Sequence, residues 1–291
     1  MIWLGSSRGY LTDWTTQLWV RATGRRVDLN DAQWLRGPTA PATGIQEDYF
    51  DQSAQRAGLV VRKPHTSAGI IPNIDVLHAP EAATAKLDSA VRDFYEHTSG
   101  YELDAWAEWC GVFRPFGWLL AILFSRRLQQ LNVPLSSLDT SRGLTSEILQ
   151  LTDPATGAVR DTVWFRRLLR TGNVLYAGFY STCCVPRRRE VCVKVVFPLP
   201  NGNAIVVMYP EIAADGSLLL TSAGKAFGDA GFYFTVHGRA GVVWARYVRA
   251  LRETIRVYPA EPGSVRADHI LKYCGATFLR LHYRMRRSSS V

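Results

Sequence analysis

From residue 144 to residue 287 polar and apolar positions alternate through roughly nine short runs, the pattern of half-buried antiparallel strands. The clearest is residues 277–286, where Leu279, Leu281, Tyr283 and Met285 share one face and Arg280, His282, Arg284 and Arg286 the other. The runs cover residues 144–151, 159–169, 174–184, 191–197, 204–209, 217–221, 232–237, 243–258 and 266–285. Turn chemistry separates several of them: Asp153-Pro154-Ala155-Thr156-Gly157, Thr171-Gly172-Asn173, Pro200-Asn201-Gly202-Asn203 and Asp215-Gly216. Such short links favour antiparallel neighbours. The last two runs are too long for single flat strands, which predicts a bend near Gly275 and another between Arg249 and Glu253, with a short helix over 244–251 as the alternative there.

Ahead of residue 144 the period is helical. Leu11, Trp14, Leu18 and Trp19 fall in register over residues 10–23, and further helices are expected over 30–35, 46–57, 80–97, 103–109 and 116–131, with a short strand at 59–62. Residues 116–124 are apolar almost all round, so that helix is expected to be buried and to plug or cover the sheet. The expected fold is therefore α+β, an N-terminal helical segment packed on a C-terminal antiparallel, strongly curved β-sheet or β-barrel. Residues 1–142 form the helical segment and covering layer, and residues 143–291 the sheet or barrel, in one integrated domain.

Composition adjusts this picture only slightly. The 291 residues are 47% hydrophobic and 20% charged, ordinary globular values that argue against disorder. Nine Trp, twelve Tyr and twelve Phe suit a core of curved strands or the walls of an apolar pocket. The net charge of +9 raises the question of nucleic acid, but outside Arg187-Arg188-Arg189 and the Arg284, Arg286, Arg287 group the basic residues are dispersed, which argues for a solvated basic face instead. Five cysteines without a C-x-x-C pair argue against zinc and fit small apolar fillers in a reduced compartment. Met1 to Ser7 lacks the charged start and apolar stretch of a signal peptide, and the longest apolar run is nine residues, about half a membrane span. The expectation is a cytoplasmic protein with no transmembrane segment, peripheral membrane contact being the minority alternative.

No P-loop, nucleophile elbow, H-E-x-x-H or dinucleotide fingerprint is present, so neither a cofactor nor a metal is expected. The segment Tyr95-Glu96-His97-Thr98-Ser99-Gly100-Tyr101 could supply an acid and a base, yet each member also suits a helix end. Asp268 and His269 are neighbours and on a strand face opposite sides, which disqualifies them as an oriented pair. Two strands offer more. Tyr233, Thr235 and His237 share a face opposite Phe232, Phe234 and Val236, and would line a pocket if that face turns inward. Ordinary patterning favours the reverse. Over residues 175–184 both faces are semi-apolar, so Tyr176 and Tyr180 are expected to be covered on both sides, with hydroxyls that need partners.

The order of elements resembles, at the level of fold, the helix-grip and barrel proteins that enclose apolar molecules, including polyketide cyclases and lipid carriers. The expected function is binding of a hydrophobic small molecule in the β-rich half, with cyclase, isomerase or lyase chemistry if a reaction occurs. The candidate acid–base residues are Tyr233, His237, Tyr176 and Tyr180; the candidate ligand contacts are Trp118, Phe179, Thr235 and Tyr283. The alternative is a non-catalytic interaction protein that meets a partner or membrane surface through Trp14, Trp19 and Trp118.

Overall fold

The alternating runs become one antiparallel sheet of fourteen strands. The computed structural model describes residues 11–41, 45, 48–64, 68–77, 86–111, 144–168, 174–238 and 241–288. Within them the strands are β1 (Arg25–Val27), β2 (Val60–Arg62), β3 (Tyr101–Trp109), β4 (Leu144–Thr152), β5 (Val159–Leu168), β6 (Val174–Cys183) and β7 (Cys192–Leu199). There follow β8 (Gly202–Ile212), β9 (Leu218–Thr221), β10 (Gly231–His237), β11 (Val243–Tyr247), β12 (Leu251–Pro259), β13 (Ser264–Tyr273) and β14 (Ala276–Arg287). The α-helices among the described residues are short: α1 (Leu11–Thr23), α2 (Tyr49–Arg56) and α3 (Ser89–Glu96).

The main path runs β2-β4-β5-β6-β7-β8-β9-β12-β13-β14-β3, and a branch leaves β8 through β10 and β11 to β1. The fork lies within β8: Gly202 to Val207 pair with β10, whereas Tyr209 to Ile212 pair with β9. At the far end β3 returns alongside β4, but among the described residues no ladder joins the two. The sheet is thus rolled and open.

This overturns the α+β expectation and the closed-barrel version of it. The protein is mainly an antiparallel sheet, and the expected helix over residues 103–109 is the edge strand β3, paired in register with β14 from Leu279↔Trp109 to Arg287↔Tyr101. Glu, Ala and Leu there are good helix formers, but intrinsic propensity is weak beside a nine-residue ladder that buries Leu103 and Ala105. Of the helix expected over residues 80–97, residues 80–85 lie outside the described residues, and α3 starts at Ser89, where the Asp88 carboxylate accepts from the Ala90 N–H as an N-cap. Residues 116–131 lie outside the described residues. The bend expected near Gly275 is a complete reversal: Cys274 and Gly275 take φ of 49° and 88°, and this two-residue turn joins β13 to β14.

Two cores flank the sheet. On the outer face, Leu149, Val163, Phe179, Val196, Ile205, Tyr233 and Tyr247 form one cross-strand row through seven strands. Trp34, Leu35, Tyr49 and Phe50 from the N-terminal segment cover it. On the inner face the rows Leu103–Met285–Val265 and Ala105–Tyr283–Ala267–Val257–Leu218 continue the alternation first visible in β14. Val91, Phe94 and Tyr95 of α3, with Ile70, Ile71 and Ile74, pack into this inner face. Strands β5 to β8 are therefore apolar on both sides because both sides are covered, which is why their alternation is blurred in the sequence.

Candidate functional site

The concave face of the rolled sheet partly surrounds a cavity of about 660 Å³, within the size range of small-molecule sites. Its walls are mostly aliphatic and aromatic: Val206, Phe232 and Phe234 on one limb, Leu279, Leu281 and Met285 on the other. Phe94 and Tyr95 of α3 border it, as do Thr16, Gln17 and Trp19 of α1. Trp19 packs edge-on against Phe234 with centroids 5.7 Å apart, and Gln17 donates to the Pro200 carbonyl at 3.1 Å, which fixes α1 against the wall.

Polar chemistry in this apolar space is concentrated where β5 and β6 face β13 and β14. Arg166 of β5 is 5% exposed, and its guanidinium lies 3.4 Å above the Trp164 ring, 4.9 Å from that of Tyr176 and 5.6 Å from that of Tyr283. Against the upward push of burial, its charge pulls the ionisation of the Tyr283 phenol downward, while among the described residues its Nε has no hydrogen-bond partner. Among the described residues no carboxylate pairs with it. Register brings Tyr176 directly opposite Arg166, and the Tyr176 and Tyr180 hydroxyls meet at 2.6 Å.

A second polar element reaches the same place along a diagonal. Glu253 lies opposite Leu271 and His269 opposite Leu281, so Glu253 of β12, His269 of β13 and Tyr283 of β14 are successive diagonal neighbours on the inner face. His269 Nε2 is 2.9 Å from Glu253 Oε2, and the imidazole stacks on Tyr283 with centroids 6.5 Å apart. The chain Glu253–His269–Tyr283–Arg166 crosses the interior from one limb of the sheet to the other.

The low polarity of the cavity holds these phenols un-ionised. Burial pushes Tyr180 up to about 12 against the pull of Arg166, and raises Tyr176 and Tyr283 by the same cause. Tyr176 and Tyr180 keep some accessible surface, but that surface faces the cavity. The site accordingly offers neutral O–H donors, one guanidinium and a Glu–His pair.

A missing side chain sets the tyrosine pair. A Cβ on Gly178 would lie 2.7 Å from the Tyr176 hydroxyl and from its Cε1, so the Tyr176 ring folds over the glycine to reach Tyr180. Gly178→Ala is expected to cost about 1–3 kcal/mol through overpacking. The same change in a Tyr176→Ala background should cost much less, since the colliding ring is gone. Urea unfolding of the four proteins in this cycle measures the difference.

The expected site residues divide between the two cores. Tyr176, Tyr180, Tyr283 and Thr235 border the cavity, although the Thr235 hydroxyl is engaged by Asn203 Oδ1 at 2.6 Å. Tyr233 and Phe179 belong to the outer core, where the Tyr233 hydroxyl donates to the Asp229 carbonyl at 2.5 Å and accepts from the Gly228 N–H. The phenylalanine face of β10, not its tyrosine face, turns to the cavity, through Phe232 and Phe234. His237 ends β10 away from the cavity, and burial lowers its pKa. Trp118 lies outside the described residues.

The residues around the end of α3 serve structure. Thr98 and Ser99 accept from the Ile70 and Ala68 N–H groups, and Glu96 Oε1 accepts from Ile74 N–H, stapling residues 68–77 to the helix end. Asp268 and His282 pair at 2.7 Å on the exposed outer face. Sequence reasoning does not group Arg166, Glu253 and His269. Arg166 and Arg167 are adjacent and point to opposite faces of a strand covered on both, so the sequence does not reveal which is buried.

Comparison with known proteins gives a distant likeness. The chain is 26% identical over 221 residues to a Bacillus subtilis protein named "Uncharacterized membrane protein YndJ". The alignment takes in 74% of this chain and 38% of that protein, so the chain spans well under half the length of the relative. No family model and no solved structure matches. Among the described residues no helix is long and apolar enough to cross a membrane.

Proposed function

We propose that the protein binds an apolar small molecule inside the rolled sheet. The observation that carries this reading is the cavity itself: about 660 Å³ of largely hydrocarbon-lined space on the concave face of the sheet. A few convergent polar groups on one stretch of its wall complete the usual composition of a ligand site. Binding is the function these features support; cyclisation of the bound molecule would use the same Tyr pair or the Glu253–His269 pair as proton donor and acceptor. The likeness to a protein named as a membrane protein agrees with a ligand drawn from a lipid phase.

Native mass spectrometry of the gently purified full chain tests the reading, a retained apolar mass being the expected result. Ala267→Trp provides the matching loss. Ala267 is 4% exposed, lies between Tyr283 and Val257 in the inner row and lines the cavity, so an indole there occupies ligand volume. Uptake of an environment-sensitive apolar dye is expected to weaken at least tenfold, about 1.4 kcal/mol, with the circular dichroism spectrum retained. Absence of both a retained mass and dye uptake by the wild-type chain would overturn the proposal.

A further inference from the structure

Building on the cavity reading above, we infer that the ligand is an amphiphile with a single carboxylate head, which binds Arg166 while its hydrocarbon tail fills the apolar cavity. Arg166 is the reason. Its guanidinium is almost fully buried, lines the cavity, and among the described residues is surrounded by the rings of Trp164, Tyr176 and Tyr283 with no carboxylate paired to it. Breaking or omitting the partner of a buried charge costs several kcal/mol, so a cation kept in this position calls for an anion. The Nε of Arg166 is left without any acceptor, an unmet donor beside the same space.

The surrounding groups specify the head further. Of the two hydroxyls in the Tyr176–Tyr180 pair, one proton lies between the oxygens and the other remains to be donated. Burial keeps these phenols protonated, so they donate to an anion instead of repelling it. Glu253, the nearest acid on the opposite limb, is engaged by His269. One guanidinium and one or two neutral O–H donors match a monoanion with two oxygens; a phosphate dianion would bring a second charge where the described lining holds no second Arg or Lys and His269 is engaged by Glu253. The remaining wall is mostly hydrocarbon, through Phe232, Phe234, Leu279 and Leu281, and of its few polar groups the Thr235 hydroxyl is engaged by Asn203 and the Gln17 amide by the Pro200 carbonyl.

The test uses the delipidated full chain and three ligands of one chain length: dodecanoate below its micelle concentration, its methyl ester and dodecyl phosphate. Titration calorimetry is expected to show dodecanoate binding at least tenfold more tightly than either of the others. Arg166→Gln should reduce the preference over the ester to within twofold while ester binding persists, and Tyr283→Phe should reduce it in part. Equal binding of acid and ester by the wild-type chain would overturn the carboxylate head and leave the apolar cavity standing. Preference for the phosphate would replace one anion with another, also overturning it. Failure of all three to bind would remove the cavity reading as well. The wild-type comparison decides between these outcomes even if a variant does not fold.

Discussion

Raising the pH above 10 is expected to unfold this protein steeply, with the phenolate absorbance of its buried tyrosines and loss of structure appearing in one step. Tyr49, Tyr95, Tyr176, Tyr180 and Tyr233 all have their ionisation pushed upward by burial, Tyr180 to about 12. In the unfolded chain each ionises near its ordinary value, about 10. Between these limits unfolding releases protons, so the contribution is fully present below pH 10 and is lost as the pH climbs toward the folded values. Each such tyrosine forfeits on the order of 1 kcal/mol per pH unit in that window. Five together approach ~5 kcal/mol by pH 11, a large part of the stability of an ordinary domain. Absorbance and circular dichroism recorded on the same samples provide the check. Ionisation of all twelve tyrosines with the sheet intact would show that these five rings are open to water.

Phe179→Ala is expected to destabilise the protein by about 3–5 kcal/mol, the usual cost of emptying a fully buried aromatic position. Phe179 is 0% exposed and stands in the middle of the seven-strand outer row. The Tyr49 and Phe50 rings of α2 lie 6.3 and 6.0 Å from it. Its loss therefore loosens the N-terminal segment as well as the sheet. Urea unfolding should show a lower midpoint, and limited proteolysis should cut residues 45–62 earlier than in the wild type. Ligand uptake by the remaining folded molecules should be unaffected, because Phe179 points away from the cavity. A change below 1 kcal/mol would mean that the N-terminal segment contributes little to holding the sheet.

Much of the sheet is visible in the alternation, and β14 shows why. It is covered on one side only, so Leu279, Leu281, Tyr283 and Met285 read directly as the inner wall. Strand β3 has the same period, with Leu103 and Ala105 inward and Glu102, Asp104 and Glu108 outward, but its residues favour helix and its partner lies about 180 positions away in the chain. Nothing local marks that partnership. The candidate site is harder still to see. Tyr176 and Tyr180 can be suspected from their even spacing, whereas the Glu253–His269–Tyr283 diagonal exists only once the register of three strands is fixed. Tyr233 misleads for the opposite reason: a polar-tipped side chain on an apolar strand is satisfied by a nearby turn carbonyl of the same segment, at Asp229.

An unclosed sheet has consequences for how molecules of this protein treat one another. Strands β1, β2 and β3 each have one ladder partner among the described residues, and a bare strand margin is a template on which a second copy can polymerise. Two of these margins are three residues long, and β1 carries Arg25 and Arg26. The third is nine residues long and presents Glu102, Asp104 and Glu108 along its solvent face. Arg280 and Arg286 of β14 pair with Glu108 and Asp104 on this face, so a second copy docking there would have to dehydrate a row of charges. The charges on the longest margin thus bear on association between copies, and removing the Glu102, Asp104 and Glu108 carboxylates together is expected to raise light scattering by the folded protein.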